Sequence, residues 1–123
     1  MRPVSFLLVP FLLAACASSA FAQALPPSDD APAFVKTLIA GFEKAPRTNP
    51  PLRILRYTWH GQTVYYVPPR CCDVPGVLYD AQGTRLCEPD GGFVGGGDGK
   101  CPDFREQRSD EHIIWKDVRQ ATR

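Results

Sequence analysis

The sequence predicts an α+β fold in which one N-terminal helix packs on a small antiparallel β-sheet stapled by two disulfides. Three observations support it: apolar residues at helical spacing after residue 33, alternating apolar residues in two hairpin-like segments, and four cysteines in the second half of the chain. The 123 residues include 14 basic and 13 acidic side chains. This length fits one folded domain, which we place at 34–123.

The first residues have the composition of an export signal. Arg2 precedes an apolar run at 4–15, which is shorter than the roughly twenty residues of a membrane-spanning helix. Small residues follow this run, as they do in a signal peptide. The chain is therefore expected to leave the cytoplasm.

Two processing sites fit this signal. An A-x-A site at 20–22 makes residues 1–22 the signal peptide and the product periplasmic or secreted. The segment LAAC resembles a lipobox instead, which makes residues 1–15 the signal and lipidates Cys16. In that second case the product is an outer-membrane lipoprotein attached through Cys16.

A polar, proline-rich leader at 23–33 is expected to be mobile, and an amphipathic helix is predicted to begin near Ser28 and to end before Pro46. Its polar face is not rich in lysine and arginine, which favours a helix that covers a sheet over one that lies on a membrane. The predicted apolar face consists of Phe34, Val35, Leu38, Ile39 and Phe42.

The segment RILRYTWHGQTVYYV predicts a β-hairpin with a two-residue turn at His60-Gly61. The alternation places one apolar set on a single face, which we take as the core face: Leu55, Tyr57, Trp59, Val64 and Tyr66. The opposite face is predicted to carry Arg56, Thr58, Thr63 and Tyr65.

Two further stretches have strand character. The segment GVLYDAQGTRLC predicts a second hairpin, with turn residues at 80–83. Residues 113–115 predict a last strand near the C-terminus.

The adjacent cysteines of the segment RCCD raise the question of how the four cysteines pair. In an oxidising compartment, Cys71, Cys72, Cys87 and Cys101 are expected to form two disulfides. A bond between neighbouring cysteines closes a strained ring. Cys71 and Cys72 are therefore predicted to pair with Cys87 and Cys101, in either of two ways.

A glycine-rich segment lies between Cys87 and Cys101 and is predicted to be held by a disulfide. Ordering so many glycines costs conformational entropy, so an anchor is required. Loops on a rigid scaffold commonly bind partners. The predicted binding residues are Gly91, Gly92, Phe93, Gly95, Gly96, Gly97, Asp98 and Lys100.

Three aspartates in or near this segment suggest a calcium site as an alternative. Asp90, Asp98 and Asp103 are hard oxygen donors, which calcium prefers. The EF-hand register is absent, and aspartate beside glycine is also ordinary turn chemistry. No other cofactor is predicted.

Catalytic and nucleotide-binding motifs are missing from the sequence. There is no G-x-S-x-G elbow and no C-x-x-C, and GGGDGKC lacks the first glycine and the hydroxyl of a P-loop. The near-neutral charge argues against a nucleic-acid partner, which needs a basic stripe.

The segments GQTVYYVPPRCCD, LYDAQG, CEPDGG, GDGKCPDF and IIWKD resemble a family of small exported bacterial proteins and lipoproteins whose function is unknown. The resemblance covers about the last two-thirds of the chain. It implies export and a shared four-cysteine core, and it identifies no catalytic residue.

Together these features favour a non-enzymatic module of the cell envelope or periplasm. We expect it to bind a protein, peptide or glycan through the glycine-rich segment. Two alternatives are a calcium- or metal-dependent hydrolase that uses Asp90, Asp98 and Asp103, and a structural lipoprotein.

Overall fold

The computed structural model of the protein describes residues 30–70 and 73–119. Five strands form one antiparallel sheet in the order β4-β3-β2-β1-β5, which confirms the predicted α+β class. No helix within the described ranges is long and apolar enough to cross a membrane. The elements are α1 Ala33–Lys44, β1 Arg53–Trp59, β2 Gln62–Val67, β3 Val77–Asp80, β4 Arg85–Cys87, α2 Phe104–Gln107 and β5 Ser109–Lys116.

Helix α1 begins at Ala33, later than the sequence predicted. Pro32 occupies the N-cap with an extended ψ of 152°, and its carbonyl accepts hydrogen bonds from the backbone of Val35 and Lys36. A proline carbonyl can start a helix, although its side chain cannot cap one. The two residues that the sequence offers as helix caps, Ser28 and Asp29, lie outside the described residues, as do the leader before residue 30 and the lipidation site at Cys16.

The β1–β2 hairpin confirms the predicted register. Tyr57 faces Val64 and Leu55 faces Tyr66 across the two strands. His60 turns the chain with a φ of 49°, a left-handed conformation that histidine adopts more readily than most residues do.

The other strands extend the sheet on both sides of this hairpin. Strand β3 pairs with β2, and β4 pairs with β3, as the second predicted hairpin requires. The predicted last strand is longer than residues 113–115: β5 spans Ser109–Lys116 and pairs with β1.

The sheet buries side chains on both of its faces. The helix face carries Ile54, Tyr65 and Trp115, which cluster with Val35 of α1. Tyr65 was predicted to lie opposite the core, but it is buried, because the ring of Phe34 packs edge-on against it with centroids 5.4 Å apart. Full burial of a side chain such as Ile54 stabilises the fold by about 1.5–3 kcal/mol.

The opposite face, called the loop face below, holds the core set that the alternation predicted. Trp59 of that set is only partly buried. Phe104 of α2 is almost fully buried in this cluster. The buried members are Leu55, Tyr57, Val64, Tyr66, Leu78, Cys87, Cys101 and Phe104.

The disulfide pairing corrects the sequence prediction. Cys87 is bonded to Cys101, with Cα atoms 6.1 Å apart, so neither is the partner of Cys71 or Cys72. The tertiary fold decides the pairing, because β4 ends where the glycine-rich segment returns to the loop face. One disulfide is seen in the described ranges, and Cys71 and Cys72 lie outside them.

The C-terminal end of α1 is capped by a side chain from the far end of the chain. Arg119 donates hydrogen bonds to the carbonyls of Phe42, Glu43 and Ala45 and to the carboxylate of Asp117. The final carbonyls of a helix lack partners within it and favour a cation nearby. Arg119 meets both requirements and ties α1 to the segment after β5.

Candidate functional site

The glycine-rich loop, residues 91–99, is fixed at its base to the sheet. Cys87 and Cys101 flank it at a separation of 14 residues, and both are buried in the loop-face cluster. The backbone N–H of Gly76 donates to the carbonyl of Asp90, at 3.0 Å, just before the loop begins. The chain therefore enters and leaves this loop from a rigid base.

Backbone hydrogen bonds also order the loop internally. The N–H of Gly91 donates to the carbonyl of Gly95, and the N–H of Gly97 donates back to the carbonyl of Gly91. The N–H of Asp98 donates to the carbonyl of Glu88 at 2.8 Å. These bonds close the loop on itself and add internal order to the disulfide anchor that the sequence predicted.

Gly97 shows why glycine is needed in this loop. Its φ is +69°, and a Cβ added there would lie 1.9 Å from the carbonyl oxygen of Glu88. Any larger residue would both adopt an unfavourable backbone conformation and clash with main-chain atoms. At Gly96, by contrast, an added Cβ meets nothing within 4 Å.

The tip of the loop exposes two large apolar side chains. Phe93 is 91% exposed and Val94 is 85% exposed, and they occupy the centre of a turn closed by the hydrogen bond from the N–H of Gly95 to the carbonyl of Gly92. We call these two residues the loop tip. Both side chains are therefore almost fully exposed to solvent, while the base of the loop is anchored to the core.

Asp90, one of the three aspartates predicted to bind calcium, holds the loop base to the sheet. Its Oδ2 atom accepts a hydrogen bond from the hydroxyl of Tyr66 at 2.5 Å. A guanidinium nitrogen of Arg105 lies 3.9 Å from the same oxygen. Burial, followed by this hydrogen bond to Asp90, raises the pKa of Tyr66 well above its usual value.

The other two aspartates have different partners. Asp98 accepts a hydrogen bond from the backbone N–H of Lys100, which holds the pKa of its carboxyl below the usual value. Asp103 lies 2.5 Å from Nε2 of His60, and so links the β1–β2 turn to the start of α2. The described ranges contain no group of three or more metal-ligating side chains that could hold an ion. The structure does not bring the three aspartates together.

A polar cleft on the loop face, next to the loop base, was not predicted from the sequence. It has a volume of about 360 Å³, and we call it the arginine cleft. Its polar lining comes from three arginines, two tyrosines and two carboxylates, namely Arg53, Arg105, Arg108, Tyr57, Tyr66, Asp90 and Glu111.

The guanidinium of Arg108 is held over aromatic rings of the cleft floor. Its central carbon lies 4.7 Å from the ring centroid of Tyr57 and 5.1 Å from that of Phe104. Cation–π attraction of this kind holds the guanidinium group in place over the rings. No side-chain hydrogen bond joins Arg108 to another residue of the described ranges.

The two cleft carboxylates are each bonded to a tyrosine. The hydroxyl of Tyr57 donates to Glu111, in the same way that Tyr66 donates to Asp90. Burial, together with the bond to Glu111, raises the pKa of Tyr57 to about 12. Both hydroxyls therefore remain protonated donors at neutral pH.

A neighbouring groove shares Arg53 with the arginine cleft. It has a volume of about 230 Å³, Arg70 and Lys116 add two more cations, and none of its described lining residues is a carboxylate. Its walls are two proline pairs, one before β1 and one after β2, which are Pro50, Pro51, Pro68 and Pro69. This groove therefore places Arg53, Arg70 and Lys116 together at the open end of the β1–β2 hairpin.

Sequence patterns offered only a weak signal for this cleft. The alternation placed Tyr57 and Tyr66 on one face, as observed. Arg53, however, precedes Arg105 by about fifty residues, and no spacing rule relates them. The pairing of β5 with β1, together with the burial of Phe104 of α2 against the sheet, brings these cations to one place.

Comparison with known proteins identifies the family. Residues 40–117, more than half of the chain, match the model of a domain of unknown function, DUF6970. No curated protein and no solved structure shows significant similarity to the chain. The chain belongs to the DUF6970 family, in line with the resemblance to an uncharacterised family noted from its sequence segments.

Proposed function

We propose that this DUF6970 protein is an exported, non-enzymatic binding module of the cell envelope that contacts a protein or peptide partner through its loop tip. The observation that carries the proposal is the exposure of Phe93 and Val94 on an ordered loop. The export signal predicted from the sequence supports the envelope location.

The anchored base of the loop supports a binding role on energetic grounds. A flexible loop loses conformational entropy when it binds, whereas a loop held by a disulfide and by main-chain bonds has already lost much of it. Apolar side chains presented at such a tip gain free energy when a partner covers them. The glycine-rich sequence is thus compatible with tight binding.

The chemistry of the tip favours a protein or peptide over a glycan. Phe93 and Val94 offer an apolar contact without a hydrogen-bonding side chain between them, whereas glycan sites combine aromatic rings with polar groups. A hydrolase that uses Asp90, Asp98 and Asp103 has less support, because each carboxylate is bonded to a different part of the fold. A structural lipoprotein remains the alternative if changes at the loop have no effect.

A comparison of variants tests the proposal. The oxidised domain is immobilised, and proteins retained from an envelope extract of the native host are compared for the wild type and for Phe93→Ser/Val94→Ser. Val118→Ser is the matched control, since Val118 is an apolar side chain 58% exposed outside the loop. We expect the double variant to lose a retained protein that the control keeps. Equal retention by all three would refute the proposal.

A further inference from the structure

The arginine cleft is a polar recess apart from the loop tip, and its lining has the chemistry of an anion site. Arg53, Arg105 and Arg108 face one recess, and among the described residues the nearest carboxylate oxygen to Arg105 is 3.9 Å away, on Asp90. Arginine side chains that line a recess without close ion pairs have N–H donors available for an anion.

Arg108 is the best positioned of these donors. Its cation–π contacts with Tyr57 and Phe104 hold the guanidinium group in place before a ligand arrives. A prepositioned guanidinium loses less rotamer entropy on binding and presents two parallel N–H groups. That fork matches the two oxygens of a carboxylate.

The charge of the cleft indicates what kind of anion it accepts. Three guanidinium groups and the carboxylates of Asp90 and Glu111 leave the lining with one net positive charge. A singly charged ligand balances that lining, whereas a phosphate dianion would leave uncompensated negative charge beside two carboxylates.

The two carboxylates do not compete strongly for the arginines. Glu111 and Asp90 already accept hydrogen bonds from the hydroxyls of Tyr57 and Tyr66. These bonds direct the carboxylates towards the tyrosines on the cleft floor. The guanidinium edges are left for a ligand.

We propose that the arginine cleft binds the carboxylate group of a monoanionic ligand, with Arg108 as the bidentate donor and Arg105 and Arg53 as supporting cations. Such a group occurs in sugar acids and at peptide C-termini. The site does not depend on the loop tip, so the two proposals fail or succeed independently.

The test follows the arginine Nε–H signals of the full folded domain by NMR, at neutral pH and low salt. Sodium glucuronate and N-acetyl-alanyl-alanine are the carboxylate probes. Glucose and N-acetyl-alanyl-alanine amide are their neutral counterparts. Sodium sulfate, which like the phosphate dianion carries two negative charges, tests the charge argument. We expect saturable chemical-shift changes with the two carboxylate probes alone. The probe that binds with the higher affinity shows whether the ligand is a sugar acid or a peptide C-terminus.

Three variants locate the binding. Arg108→Gln should weaken carboxylate binding by about tenfold or more, the usual effect of losing a bidentate charged contact. Arg105→Gln should weaken it by about threefold, and because this side chain is 72% exposed, the change leaves the fold intact. Arg56→Gln, an arginine of β1 that does not line the cleft, should leave affinity unchanged.

Several results would overturn the proposal. They are a lack of saturable shifts with either carboxylate, sulfate binding as tight as carboxylate binding, and wild-type affinity in both Arg108→Gln and Arg105→Gln. Phe93→Ser/Val94→Ser should retain carboxylate binding, and its loss in that variant would equally contradict the assignment.

Discussion

The hydroxyl of Tyr66 lies 2.5 Å from Oδ2 of Asp90, and this hydrogen bond joins the central strand of the sheet to the base of the glycine-rich loop. The other carboxylate oxygen of Asp90 is buried without a partner among the described residues. Tyr66 is therefore the main hydrogen-bond donor to this carboxylate. The same pair forms part of the arginine cleft, so the loop and the cleft share one structural support.

Removing that hydroxyl should destabilise the fold. In Tyr66→Phe, Asp90 keeps only the distant contact with Arg105, and a partly buried carboxylate left without its donor costs about 1–3 kcal/mol. Urea unfolding measures the loss. Tyr79→Phe is the control, because no hydrogen bond of its hydroxyl is seen in the described ranges, and it should change stability by less than about 0.5 kcal/mol. Equal effects of the two substitutions would contradict the role given to Tyr66.

The backbone of the loop should tolerate alanine at one glycine and not at its neighbour. Gly97→Ala places a Cβ against the carbonyl of Glu88 at a positive φ, so we expect a loss above about 1 kcal/mol. Gly96→Ala meets open space and should be neutral or stabilising by about 0.4–1 kcal/mol, since alanine restricts the unfolded chain. Unfolding of both variants by urea checks this. If Gly97→Ala proves as stable as Gly96→Ala, Gly97 does not lie against the carbonyl of Glu88 and the assigned loop conformation is wrong.

The Cys87–Cys101 bond should supply a large share of the stability of this small domain. A disulfide that closes a loop of this size contributes about 3 kcal/mol, so Cys87→Ala/Cys101→Ala should lower the free energy of unfolding by about that amount. Peptide mapping under non-reducing conditions should recover these two cysteines linked, in the wild type and in Cys71→Ala/Cys72→Ala. A map that joins Cys87 to Cys71 or Cys72 would contradict the observed pairing.

The ion pair that ties the chain end to α1 should make stability depend on acid pH. Hydrogen bonds from Arg119 hold the pKa of the Asp117 carboxyl below its usual value. As the pH falls, Asp117 therefore takes up its proton in the unfolded chain before it does so in the folded protein. The contribution of this carboxylate to the free energy of unfolding is complete above about pH 3.9, and it is lost as the pH falls through the folded-state pKa.

The variant Asp117→Asn removes that dependence. Its urea midpoint should fall well below that of the wild type at pH 7, and the gap should narrow at pH 2.5. Asp110→Asn changes the net charge in the same way at an exposed position, so its midpoint should follow the wild type at both pH values. A gap for Asp117→Asn that stays constant with pH would exclude the proposed linkage.

Local patterns predicted those parts of the fold that local interactions decide. The β1–β2 register follows from the turn at His60-Gly61 and from a strict alternation of apolar side chains, both contained in one short segment. Tyr65 departed from its prediction because α1 covers the second face of the sheet. A two-sided core cannot be recognised from the alternation of one hairpin alone.

The features that depend on distant contacts were not predictable in the same way. Four cysteines allow several pairings, and the partner of Cys87 was decided by the path of the loop back to the sheet. Phe93 was among the binding residues predicted for the glycine-rich loop and Val94 was not, and the exposure of both at the tip became visible only once the loop was seen to be folded. The arginine cleft required strands β1 and β5 to meet.

Site-specific photocrosslinking at the loop tip tests whether Phe93 contacts a partner in the cell. A photoreactive phenylalanine analogue is placed at position 93 of the full chain in the native host, and at position 118 as the control. We expect one discrete crosslinked protein from position 93, absent from position 118 and lost when Gly97→Ala is added. Irradiation that yields no discrete product at position 93, or the same product at both positions, would contradict a binding role for the loop tip.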